Sequence, residues 1–194
     1  MSIATAKRFS FNEYNRLTEL GFFSEDDRVE LIHGQIMQMA AKGTAHEVCI
    51  TRLTRELLKL LGENATLRIQ SPIILPEDSE PEPDFTIAKN CSDDYLSAHP
   101  SVSDVLLIIE VSDSSLSYDQ EVKLPLYAES GISNYWIFNL PEKYLEFYSE
   151  PYQNLPGSFG YSVKRIILPQ QSLTIPHFPD LSLDLSKVFP LKTN

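Results

Sequence analysis

Leu106-Leu-Ile-Ile-Glu110-Val-Ser112 sets four large aliphatic residues directly before a carboxylate. With Val105 the run shows no polar alternation until Glu110, which predicts a central strand buried on both faces. A carboxylate at the end of such a strand is costly to bury unless a cation, a hydrogen-bond network or the sheet edge receives it. The simpler alternative is a strand end that delivers Glu110 to solvent. The run alone does not separate the two.

Working outward, Tyr118 to Ser130 reads as helical and is closed by Gly131, and Tyr135 to Leu140 reads as the next strand. Upstream, strands are predicted over Thr66 to Leu75 and Asp84 to Ala88. The clearest helix is Ala45 to Leu61, with Ile50, Leu53, Leu57, Leu60 and Leu61 in one apolar stripe. Phe11 to Phe22 reads as a short amphipathic helix, and Arg28 to Met39 as a hairpin turning at His33-Gly34. Leu145 to Tyr148 and Tyr161 to Leu168 read as outer strands of a terminal hairpin. From Pro169 a Pro-rich tail is expected to wrap the domain. This order predicts a mixed α/β sheet with helices packed on it.

The chain has 194 residues, the size of one domain. One unit is expected over 1–194, with a core over about 10–150 and the hairpin and tail over 143–194. The 16 basic and 27 acidic residues give a net charge of −11. That excludes a protein that coats nucleic acid non-specifically, because affinity for phosphate comes from Lys and Arg. The imbalance is local. Residues 1–70 hold nine basic and nine acidic side chains and are neutral, so residues 71–194 carry the whole deficit. Its densest part is Leu75-Pro-Glu-Asp-Ser-Glu-Pro-Glu-Pro-Asp84. No apolar run reaches the roughly 20 residues a membrane span needs, and the start has no signal-peptide core. Cys49 and Cys91 are isolated, without zinc or redox spacing, so inert packing thiols and a reducing cytoplasm are expected.

Asp84 opens its strand directly after a Pro-fixed turn. Alone, it is explained by a turn carboxylate bonding its own backbone. Lys123 has Asp119 four residues before it, and a surface pair worth about 0.2–0.5 kcal/mol explains it alone. Together the three residues gain meaning. Two carboxylates from adjacent strands and a nearby lysine are the parts of metal-assisted phosphodiester hydrolysis. Oxygen ligands suit Mg2+, with Mn2+ as the other ion of that class.

Pro83-Asp84, the Glu110-Val-Ser112 strand end, and Asp119-x-x-x-Lys123-x-x-x-Tyr127-x-x-x-Gly131-Ile-x-x-Tyr135-Trp136 closely resemble the Uma-type restriction endonuclease family of the PD-(D/E)XK nuclease superfamily. Val29-Glu30-Leu-Ile-x-Gly34-x-Ile and His46 extend the resemblance over about residues 10 to 150. It implies a restriction-endonuclease-like fold: a mixed central sheet, flanking helices and an added C-terminal hairpin. It also implies that Asp84 and Glu110 bind the metal and that Lys123 is the catalytic lysine. One position departs from the superfamily pattern, which has lysine two residues after the acidic strand residue. Here that residue is Ser112, and the lysine moves to the following helix. Pro125, two residues past Lys123, is expected to kink or delimit that helix.

Glu30, His46 and Tyr127 are accessory candidates. A solvent-facing strand Glu, a core histidine and a core aromatic are the ordinary explanations for them. Arg52, Arg55 and Lys59 gather on the far side of the 45–61 helix and form the best phosphate-facing stripe, or else a solvated helix face. The expected activity is Mg2+-dependent endonucleolytic hydrolysis of DNA, through local and salt-sensitive contact. The rivals are an inactive nuclease-fold module for protein assembly and a hydrolase of smaller phosphate esters. A homodimer is plausible for cutting two strands, with Leu145 to Tyr148 as one interface.

Overall fold

The computed structural model describes residues 5–24 and 27–190, so the two ends and the 25–26 dipeptide of the expected 1–194 unit lie outside the described residues. Strand β5 (Val105–Ser112) lies inside a six-stranded sheet, as its composition predicts. The sheet order is β3 (Thr66–Ile69), β4 (Phe85–Ala88), β5, β6 (Asn134–Asn139), β7 (Tyr144–Leu155) and β8 (Ser158–Ile167). Only the β5–β6 pair is parallel; the other neighbours are antiparallel. A parallel pair needs a crossover connection, and residues 113–133 supply it.

Strand alternation divides the core. Leu107, Ile109, Val111, Trp136 and Phe138 point to one face, where they meet Leu53, Leu57 and Leu61 of helix α2 (Thr44–Leu61). Ile108, Tyr135 and Ile137 point to the other face and meet Leu126 and Tyr127 of helix α4 (Leu124–Glu129). Glu110 has the parity of Ile108, so it projects toward the crossover side. It does not reach solvent, because β5 is covered on both faces.

Two small hairpins complete the molecule. Helix α1 (Phe11–Glu19), with its Ser10–Glu13 capping box, leads into β1 (Val29–Ile32) and β2 (Gln35–Gln38), which turn at His33-Gly34. This hairpin forms its own two-stranded sheet and bridges the main chain at Leu31 and Glu80. The segment after Pro169 is more ordered than a wrapping tail. It forms the hairpin β9 (Ser172–Ile175) and β10 (Phe178–Asp184), which packs on α2 and buries Ile175, Leu183, Leu185 and Phe189.

Several boundaries differ from expectation. Helix α1 ends at Glu19, and β3 ends at Ile69, where Gln70 takes a positive φ and Pro72 follows. The 118–130 helix breaks into α3 (Leu116–Tyr118), a π-turn (Asp119–Lys123) and α4. Pro125 accounts for the break, since it has no N–H to donate to Glu121 and its ring clashes with that carbonyl. The suggested interface at Leu145 to Tyr148 is also overturned. β7 is paired on both sides, to β6 and β8, and Leu145 and Tyr148 are buried, so this run offers no free edge. Cys49 is sealed in the core, where burial holds its thiol well above its ordinary value, an inert packing role.

The acidic stretch before β4 splits by side-chain direction. Glu77 and Asp78 are exposed, whereas Glu80 is buried and its Oε2 atom has no partner among the described residues. Burial raises the Glu80 carboxyl from 4.5 to about 7. Between these values the unfolded chain has released a proton that the native state still holds, so stability falls as pH rises from about 4.5 to 7. Screened by the solvent that still reaches this carboxyl, the cost at pH 8 is on the order of 2 kcal/mol. Glu80→Gln is therefore expected to stabilise the fold at pH 8 and to leave it nearly unchanged near pH 4. Denaturant midpoints across that range test this; a gap equal at both ends would refute it.

Candidate active site

The β4–β5 register builds the site. Phe85 stands opposite Ile109, so the preceding residue, Asp84, comes beside Glu110. The backbone N–H of Asp84 donates to Glu110 Oε2 at 3.2 Å, and the Val111 N–H donates to Asp84 Oδ2 at 2.9 Å. Both carboxylates are buried at the end of the ladder. The turn alternative for Asp84 thus gives way to contacts across strands.

Lys123 reaches the same place from the crossover. Its Nζ lies 2.9 Å from Glu110 Oε1 and 3.3 Å from Glu30 Oε2. The surface-pair alternative with Asp119 is overturned, because Lys123 is only 4% exposed and both of these partners come from other elements. The π-turn is the cause: it widens the helix between Asp119 and Lys123 and turns the two side chains to different partners. Asp119 instead accepts hydrogen bonds from the Ser112 and Ser115 hydroxyls, each at 2.7 Å. Ser112, at the position where the superfamily pattern has its lysine, therefore anchors the start of the crossover.

The accessory candidates also converge. Glu30 is buried, accepts from the Tyr118 hydroxyl at 2.9 Å and from the Glu82 N–H at 3.0 Å, and holds Lys123 from the side opposite Glu110. Tyr127 donates its hydroxyl to Glu110 Oε1 at 3.0 Å. His46 Nε2 lies 3.0–3.1 Å from both oxygens of Asp84. A carboxylate only accepts, so this nitrogen carries the proton.

Charge explains the pKa directions. Burial pushes Glu110 up to about 8, with Asp119 and Asp84 adding to the effect against the pull of Lys123. Burial also acts to raise Asp84, but the His46 bond, the Val111 N–H and Gln70 outweigh it and hold the carboxyl below its ordinary value. Lys123 stays charged: burial opposes its ammonium, and the charges of Glu110, Glu30 and Asp119 more than restore it. One buried amine thus serves two carboxylates, with Asp84 and Asp119 close by.

A cleft of about 250 Å3 opens onto Glu30, Asp84, Glu110, Lys123 and His46. The basic stripe of α2 is not part of it. Arg52 donates to the Phe189 carbonyl at 2.6 Å, Lys59 pairs with Glu56 at 2.9 Å, and neither these nor Arg55 lines the cleft. Trp136 is fully buried and has no access to a ligand. The sequence reading missed Tyr118 and the buried role of Asp119. The Asp119–Lys123 spacing was visible, but only the π-turn decides which way each side chain points.

The family described as "Putative restriction endonuclease" (Uma2) matches residues 11–186. The chain belongs to this family. The crystal structure of a "putative nuclease belonging to DUF820" from Anabaena variabilis ATCC 29413 superposes with a TM-score of 0.72 at 14% identity. The match covers 93% of this chain and 97% of that one. The architecture is therefore restriction-endonuclease-like. No curated protein matches the chain. As a Uma2 chain it carries the family's nuclease-like fold, and no helix among the described residues is long and apolar enough to cross a membrane.

Proposed function

We propose that the chain is a divalent-metal-dependent endonuclease that hydrolyses DNA phosphodiester bonds at this cleft. The observation that carries the reading is the meeting of Asp84 and Lys123 at Glu110, whose carboxylate accepts from the Asp84 backbone N–H and from the Lys123 ammonium at the end of a buried strand pair. Membership of a restriction endonuclease family supports it.

The residues fit a hard cation. Among the described residues no group of three or more His, Cys, Asp or Glu forms a ready-made cage. Mg2+ does not require one, since one or two carboxylates and several waters suffice. Asp84 and Glu110 are those two carboxylates, and their site has more buried negative charge than Lys123 neutralises. A bound Mg2+ or Mn2+ would polarise a phosphate oxygen and acidify a water molecule.

The chain's own groups do the rest. Lys123 supplies a fixed ammonium that would stabilise the charge developing on the phosphate oxygens. Glu30 and Tyr127 are positioning residues, one holding the amine and the other the Glu110 carboxylate. His46 orients Asp84. The single-unit organisation over 1–194 belongs to this reading, as does a homodimer, now without an interface at β7. The excess acidity predicts weak DNA contact that falls steeply with salt.

Incubating the protein with Mg2+ or Mn2+ and labelled duplex or single-stranded DNA tests the reading. Cleavage is expected for the wild type and is expected to be lost in Asp84→Asn, with metal affinity falling at least about tenfold in calorimetry. Cleavage that survives Asp84→Asn refutes the assignment. Hydrolysis of small phosphodiesters alone selects the small-ester alternative, and absence of all hydrolysis selects the assembly module.

A further inference from the structure

The nuclease reading leaves open what meets the phosphates of a strand that enters the cleft. Lys123 is committed to Glu30 and Glu110, and the α2 stripe lies elsewhere. Among the described residues the cleft lining contains only two further lysine or arginine side chains, Arg28 and Lys42. Arg28, just before β1, is pinned under the loop between β2 and α2. Its Nη1 donates to the Ala40 carbonyl at 3.1 Å, and its Nη2 meets Met39 Sδ at 3.7 Å and stands 4.0 Å from Glu82 Oε1.

Lys42 sits in the loop itself. It is half-buried, yet among the described residues it has no ion-pair or hydrogen-bond partner. A partly desolvated ammonium next to a guanidinium is unfavourable in isolation. Burial and the Arg28 charge pull Lys42 below the ordinary lysine value, and the opposing charges of Asp84, Glu82 and Glu47 do not fully restore it. An anion in the cleft would relieve both penalties. Gly43 shows how narrow the mouth is, since a Cβ there would stand 3.0 Å from Asp113 Oδ2 on the opposite loop. Lys42 and Gly43 thus line the same cleft as the carboxylates.

We propose that Lys42, backed by Arg28, forms a phosphate-binding subsite at the mouth of the cleft that engages a phosphodiester flanking the scissile one on a nucleic-acid strand. This rests on the nuclease reading and adds the groups that hold the substrate. Two cations offset part of the local acidity, so an overall charge of −11 is compatible with strand binding at one place. It also predicts that binding is indifferent to base sequence at this position, because a phosphate contact carries no base information.

Fluorescence anisotropy with a labelled single-stranded oligonucleotide, in Ca2+ buffer at about 50 mM salt, tests the subsite. Lys42→Ala is expected to bind about tenfold more weakly on all sequences and to lower the salt slope by about one. Lys42→Arg is expected to restore most of the affinity, and Lys187→Ala, which removes a distant exposed charge, to bind as the wild type does. Binding of inorganic phosphate at low concentration in calorimetry, with no oligonucleotide binding in anisotropy, would assign the subsite to a small ester and overturn the proposal. Equal binding by Lys42→Ala and wild type would overturn it too. Cleavage separates the two readings. A wild type that cleaves while Lys42→Ala binds normally removes the subsite and keeps the nuclease. A wild type that binds through Lys42 but does not cleave keeps the subsite and removes the nuclease.

Discussion

Lys123→Met is expected to destabilise the fold by about 3–5 kcal/mol, the cost of leaving a buried charge without its partner. Lys123 is the shared counter-ion of Glu110 and Glu30, and all three are almost fully buried. Removing the ammonium leaves two buried carboxylates without their shared counter-ion, so at least one must take up a proton. The penalty should therefore shrink as pH falls toward 4 and grow above pH 8. Adding Glu30→Gln to Lys123→Met should recover part of the loss, about 1–2 kcal/mol, because residues that share a partner do not act additively. Urea denaturation of wild type, single and double variants measures this. A loss below about 1 kcal/mol for Lys123→Met, or strict additivity, would show that the ammonium does not bind the two acids together.

Glu110→Gln should separate activity from stability. The amide has the shape of the acid, and its carbonyl can still accept from Lys123 and Tyr127, while its NH2 group replaces the oxygen that accepts from the Asp84 N–H. Burial already pushes the Glu110 carboxyl up to about 8, so loss of the charge itself costs little here. Stability should fall by about 1–2 kcal/mol, the cost of that one buried hydrogen bond. Cleavage should fall by at least about 10³-fold, because one of only two carboxylates for the cation has gone. Denaturation and cleavage assays on the same preparation give both numbers. A folded Glu110→Gln protein that cleaves at the wild-type rate would remove Glu110 from the metal-binding pair.

The two variants differ for a physical reason. Among the described residues Lys123 is the only ammonium that touches Glu30 or Glu110, so its loss unbalances the charge of the interior. Glu110 is one of several carboxylates, so its neutralisation lowers an existing excess. The site therefore depends on Lys123 for its existence and on Glu110 for its chemistry.

Much of this was legible along the chain. Uninterrupted aliphatic residues over 105–109 announced a strand covered on both faces, and the apolar stripe of residues 45–61 announced the helix that covers one of them. Period and composition are local properties, so they survive without knowledge of the fold. Asp84, Glu110 and Lys123 were also recognisable, through the resemblance of their spacing to a nuclease family. Their partners were not. Glu30 was explained equally well by a strand residue facing solvent, and His46 by a core histidine, until the β4–β5 register and the placement of the first hairpin closed on them. The terminal segment was misjudged because its prolines masked two short strands whose apolar residues make sense only against α2.

The strand Leu106 to Ser112 shows where the division falls. Its residues determine by themselves that it is buried and that Glu110 ends on the face opposite Ile109, since side-chain alternation is a property of any extended chain. They do not determine what meets the carboxylate there. That depends on the π-turn forced at Pro125, on the register that lays Asp84 beside Glu110, and on a hairpin some eighty residues earlier that brings Glu30 to Lys123. Charge pairing acts over a few ångströms, and only folding brings residues so distant along the chain within that range.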